Sequence, residues 1–84
     1  MMVPVGYENF VNSSAIVAIL NPDSSPLKKL RRSAEAERML INATSGRKAR
    51  SLIVMKSNHI ILSALQTETL KQRLSLIKSK ERLV

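Results

Sequence analysis

Two consecutive runs, Ser51–Met55 and His59–Leu65, are apolar at nearly every position and are separated only by Lys56-Ser57-Asn58. A link of three residues suits an antiparallel connection, so the pair reads as a hairpin. A strand with one face in water alternates apolar and polar residues, and these do not, so both faces of the hairpin need cover. That demand is severe for a chain of 84 residues, because chains this short bury only about 60 to 65% of the surface they expose when unfolded. One central helix is available for one face. A second copy of the chain is expected over the other, which would put the hairpin in a subunit interface.

The material for the core is aliphatic, since Tyr7 and Phe10 are the only aromatic residues. Cysteine is absent, which excludes disulfides, thiolate metal sites and a cysteine nucleophile and suits a reducing compartment, read here as the cytoplasm. The longest N-terminal apolar run, Ala15–Leu20, is too short to span a bilayer and has no basic stretch before it, so neither a signal peptide nor a membrane anchor is expected. Asn42-Ala43-Thr44 matches the N-glycosylation pattern, which carries no meaning in a protein that is not secreted.

Ala15–Leu20 reads as a strand stopped by the turn Asn21-Pro22-Asp23. A helix follows, with Ser25 as N-cap and Pro26 at its first position, continuing to about Arg38. Leu27, Leu30 and Ala34 share one face of it and should dock on a sheet, while Lys28, Lys29 and Arg32 share an arc on the solvent side. Leu40 and Ile41 resume an apolar pattern, which Thr44-Ser45-Gly46 breaks at a glycine able to take a positive φ. After the hairpin, Thr67 reads as the N-cap of a last helix with Leu70, Leu74 and Ile77 in one stripe and Lys71, Lys78 and Arg82 on another side. The fold class is α+β: a small single domain with a short sheet and hairpin, one central helix and a C-terminal helix.

Lys and Arg number 14 against 6 Asp and Glu, a formal charge of +8. From Lys28 to Arg50, eight basic residues oppose only Glu35 and Glu37, so +6 of that charge sits in one segment. Charge serving solubility alone would not concentrate in this way, and an anionic partner is implied. Gly46-Arg47-Lys48-Ala49-Arg50 is the sharpest feature, because a glycine turn lets several cations reach one phosphate backbone and arginine offers two parallel donors. The start of the central helix, Ser25-Pro26 followed by Lys28 and Lys29, could also receive a phosphate. Single-strand binders stack bases on aromatic rings, of which this chain has two, so duplex DNA is the better fit. The basic terminal helix could lie on anionic lipid, yet packing against the domain accounts for it more simply, and no membrane partner is expected.

No catalytic constellation is visible. The one histidine, His59, stands beside a strand and reads as part of the hairpin structure, and no glycine-rich phosphate loop occurs. An enzyme, a cofactor, a metal site and a small-molecule substrate are therefore not expected.

Several separated segments, Gly6-Tyr7, the run from Asn21 to Lys29, the run from Ala43 to Arg50 and the run from His59 to Thr69, together resemble the RemA-like bacterial extracellular-matrix regulatory proteins. The likeness extends without a gap from about Val3 to Leu74. It implies one DNA-binding and oligomerisation domain over residues 1–74, followed by a basic helical extension over 75–84. It also implies a ring-shaped homo-oligomer that binds duplex DNA through basic residues, wraps or condenses it in association with the nucleoid, and regulates transcription of biofilm matrix genes. The family's basic loop corresponds to Gly46, Arg47, Lys48 and Arg50, and the proline opening its helix to Pro26. Lys28, Lys29 and Arg32 are expected to extend the DNA path. Four departures stand out: Ala15 replaces an arginine implicated in DNA binding, Arg38 and Glu8 replace glycines, and Thr67 replaces a proline. The missing arginine leaves an alternative open, an oligomeric scaffold with weak or lost DNA binding.

Overall fold

The computed structural model describes residues 1–82, with side-chain surroundings through Ile77. Two strands, β1 (Met2–Gly6) and β2 (Asn9–Asn12), form an antiparallel pair of their own. A 3-10 turn over Ser13–Ala15 leads to β3 (Ile16–Leu20), and helix α1 (Ser25–Ala36) crosses to β4 (Leu40–Asn42). Strands β5 (Ser51–Met55) and β6 (Ile60–Ser63) follow, and helix α2 (Thr67–Arg82) ends the described chain. The main sheet has the order β3-β5-β6-β4, antiparallel except for the parallel pair β4 and β6. This is an α+β architecture.

The two apolar strands occupy the middle of that sheet, which explains their lack of alternation. Leu52, Ile60 and Leu62 pack with Ala34 of α1 on one face. On the other, Ile53, Met55 and Ile61 pack with Val3, Val5 and Val11 of the N-terminal hairpin and Leu70 of α2. Both faces are therefore covered within one chain, and the expectation that one of them needs a second copy for cover is corrected. The missing cover came from β1–β2, whose four- and five-residue strands are too short and too mixed to announce themselves as core material.

The ends of α1 depart from expectation by one or two residues. Lys28 N donates to the Ser24 carbonyl at 3.0 Å, so Ser24 is the N-cap, Ser25 the first helical residue and Pro26 the second. The Ser24 side chain makes no capping hydrogen bond. The helix closes at Ala36, and Arg38 takes φ +60°, a left-handed residue just past the end. Thr67 likewise begins α2 instead of capping it, since Leu70 N donates to the Gln66 carbonyl at 3.2 Å. Along α1 only Ala34 is buried, Leu27 is half-buried and Leu30 is 37% exposed, so the expected apolar face docks incompletely. In α2, Leu70 is buried and Leu74 and Ile77 pack against the same core as expected. The side chains of Lys78 and Arg82 lie outside the described residues. Helix α2 runs without a break through position 74, so no structural joint marks the expected boundary there.

Candidate nucleic-acid interface

The segment from β4 to β5 has no regular structure, and side chains and strand carbonyls hold it in place. Asn42 Oδ1 accepts from Thr44 N at 3.0 Å and from Thr44 Oγ1 at 2.6 Å, and Thr44 is buried. These bonds form an Asx-type turn, in which a side-chain carbonyl stands in for a backbone one. Ser45 (φ +54°) and Gly46 (φ +81°) then reverse the chain, with Arg47 N donating to the Thr44 carbonyl at 3.1 Å. Nothing lies within 4 Å of where a Cβ on Gly46 would stand, so the glycine serves its dihedral angle and no close approach. Arg50 N donates to the Ser63 carbonyl at 2.8 Å and returns the chain to the sheet.

Arg47, Lys48 and Arg50 are all exposed on this turn, and they point to two places. Lys48 and Arg50 line a shallow cleft of about 230 Å³ with Asn21, Asp23, Gln66 and Thr67. The turn before α1 and the start of α2 thus meet the basic loop, with Asp23 on the rim of the same cleft. The Arg47 guanidinium lies over the Tyr7 ring, 6.0 Å from its centroid. Lys28, Lys29 and Arg32 are exposed on α1, as their spacing implied. They line no part of that cleft, although α1 departs from the same Asn21–Asp23 turn, where Asp23 N donates to Asn21 Oδ1 at 3.0 Å. His59 is half-buried, its Nδ1 2.7 Å from Ser57 Oγ within the β5–β6 link.

Two features of the site were not evident from sequence. One is Tyr7, the only aromatic group recorded beside a basic-loop side chain among the described residues. The other is Ser63, fully buried, whose hydroxyl donates to the Val5 carbonyl at 2.7 Å and accepts from Leu65 N at 3.1 Å. Its own carbonyl receives Arg50, so one residue ties β1 to the basic loop. The pairing Ser51↔Ser63 across β5–β6 was the available signal: two small polar residues facing each other at the end of an apolar hairpin need partners. Ala15, where an arginine was expected from the resemblance, is half-buried, and its carbonyl accepts from Lys56 N at 2.8 Å.

No helix among the described residues is long and apolar enough to cross a membrane. Residues 2–74 match the family described as RemA-like, extracellular matrix regulatory protein A-like. A relative from Nitratidesulfovibrio vulgaris (strain DSM 19637 / Miyazaki F) is 54% identical over 72 residues, covering 86% of this chain and 82% of its own. One from Thermodesulfovibrio yellowstonii is 49% identical over 81 residues, covering 96% and 95%, and one from Thermotoga maritima is 51% identical over 72, covering 86% and 78%. Each of the three bears the provisional name of a regulatory protein.

Proposed function

Since this chain belongs to the RemA-like family of regulatory proteins, we propose that it binds duplex DNA as a ring-shaped homo-oligomer and so regulates transcription, matrix genes included. Arg47, Lys48 and Arg50 contact phosphates, and Lys28, Lys29 and Arg32 extend the path along α1. The observation that carries this reading is the basic loop itself: three exposed cations on a turn whose backbone is fixed by Asn42, Thr44 and Ser63. A fixed cationic turn meets a phosphate backbone with little ordering left to lose, which favours affinity over sequence readout. Such a protein works in the cytoplasm at the nucleoid and needs no catalytic group.

Self-association is supported by exposed apolar side chains on the sheet's two outer strands. Strand β3 carries a bulge at Val17, between the pairs Ile16↔Met55 and Ala18↔Val54, and Val17 is 62% exposed. Strand β4 on the opposite edge exposes Ile41 at 48%. Exposed apolar side chains on the two outer strands of one sheet suit head-to-tail contact, and such contact closes into a ring when the rotation allows. The replacement of arginine by Ala15 favours a second reading, an oligomeric scaffold with weak or lost DNA binding.

Mass measurement in solution, with and without a duplex of random sequence, tests both. The expected result is an oligomer whose mass rises by that of bound duplex at low salt. An oligomer that ignores duplex favours the scaffold, and a folded monomer contradicts the ring.

A further inference from the structure

The turn between β1 and β2 is strained where a hairpin turn is ordinarily relaxed. Gly6, Tyr7 and Glu8 have φ of +106°, +52° and +64°. Positive φ at both central residues is the pattern that hairpins satisfy with Asn-Gly or Gly-Gly, and side chains with a Cβ resist it. Here Tyr-Glu holds it. Strain of this kind persists only where the surroundings impose it. Gly6 lies against the Leu65 side chain, its would-be Cβ 3.4 Å from Leu65 Cγ, so the turn is pressed onto the exit of β6. The result is an aromatic ring thrust outward, with Tyr7 49% exposed. Arg47 of the basic loop lies over that ring.

The two elements are not neighbours by accident of surface mobility. Val5, two residues before Tyr7, is bonded through its carbonyl to the Ser63 hydroxyl, and Arg50, three residues after Arg47, is bonded to the Ser63 carbonyl. One buried serine therefore anchors the backbones of both the hairpin and the loop, from which the ring and the guanidinium extend. We infer that Tyr7 is a positioning residue for the basic loop: its ring holds the Arg47 guanidinium in one orientation, ready for a phosphate of duplex DNA. The inference rests on the DNA-binding reading above and adds to it a second element, the N-terminal turn. The ring face attracts the cation and leaves the guanidinium's N–H edge free to donate. An arginine held this way loses less freedom on binding than one that sweeps through solvent.

The test is a double-mutant cycle on duplex affinity with the full chain. An exposed cation–π contact corresponds to about a two- to fivefold effect, so Tyr7→Ala is expected to weaken binding by that factor for each engaged copy. Tyr7→Phe, which keeps the ring, is expected to retain parental affinity. In an Arg47→Ala background, Tyr7→Ala is expected to change nothing further. A second readout needs no DNA: the Arg47 side-chain resonances should carry a ring-current shift that Tyr7→Ala abolishes and Tyr7→Phe preserves. Equal losses from Tyr7→Ala in the two backgrounds, or the absence of the ring-current shift, would overturn the inference even if the loop binds DNA. If replacing Arg47, Lys48 and Arg50 together leaves duplex affinity intact, or the parent binds no duplex, the DNA reading fails and Tyr7's proposed role falls with it.

Discussion

On one face of the four-stranded sheet, Val3, Val5 and Leu70 are sealed to 1% exposure beneath β1–β2 and α2, whereas on the other α1 buries only Ala34 and leaves Leu30 open to solvent. The first face is closed by two elements arriving from opposite ends of the chain. The second is closed by one helix that turns charged residues outward on most of its surface. The contrast separates two jobs: β1–β2 and α2 bury apolar side chains of their own over the sheet, whereas α1 covers Leu52, Ile60 and Leu62 and keeps a charged outer surface. The basic loop lies between these jobs, anchored to the sealed side through Ser63 and exposed on its own account.

That division can be broken most forcefully on the sealed side. Leu70→Ala removes a fully buried side chain under β1, and its expected cost is about 2 to 5 kcal/mol, read from the midpoint of chemical denaturation. Next comes Ser63→Ala, which leaves the Val5 carbonyl and Leu65 N without their partner; about 1 to 3 kcal/mol is expected. A smaller loss than about 0.5 kcal/mol would mean that this hydroxyl does not tie β1 to the end of β6. At the two non-glycine positions with positive φ that stand where the resemblance has glycine, the sign reverses. Arg38→Gly and Glu8→Gly are each expected to stabilise by about 1 kcal/mol, one beside the thin face and one beside the sealed face. The smallest effect belongs to Leu30→Ala, expected to change the stability of the folded subunit by no more than about 1 kcal/mol because the side chain is already 37% exposed. If Leu30 lies under a neighbouring copy, the same substitution lowers the oligomer's mass at micromolar concentration instead.

The contrast also marks what the sequence could and could not disclose. The β5–β6 hairpin, the fold class, the stripe of Leu70, Leu74 and Ile77, and the exposed arc of Lys28, Lys29 and Arg32 were legible because each rests on a period or a run that local geometry dictates. The second cover of the sheet was not. It depends on Val3, Val5 and Val11 packing across a separation of some fifty residues from β5 and β6, and no pattern within a short strand containing Pro4 announces that. Helix ends shifted because Ser24 and Ser25 are equally able caps by type, and only the bond from Lys28 N distinguishes them. At the candidate interface, Gly46 and the cations after it could be read from composition and turn chemistry. Tyr7 could not, because its role comes from a strained turn meeting a distant loop through a serine that belongs to neither.

The proposed function stands or falls on whether the basic loop meets DNA. Its most direct measurement is duplex affinity across a salt series for the parent and for the variant with Arg47, Lys48 and Arg50 all replaced by alanine. These side chains are exposed and hold no part of the core, so the variant is expected to keep its fold and oligomeric mass. It should lose most of its affinity, and the slope of log K against log salt should flatten by about 0.9 for each phosphate contact removed. A variant that binds as tightly as the parent, with an unchanged slope, would contradict the assignment of this loop as the DNA contact.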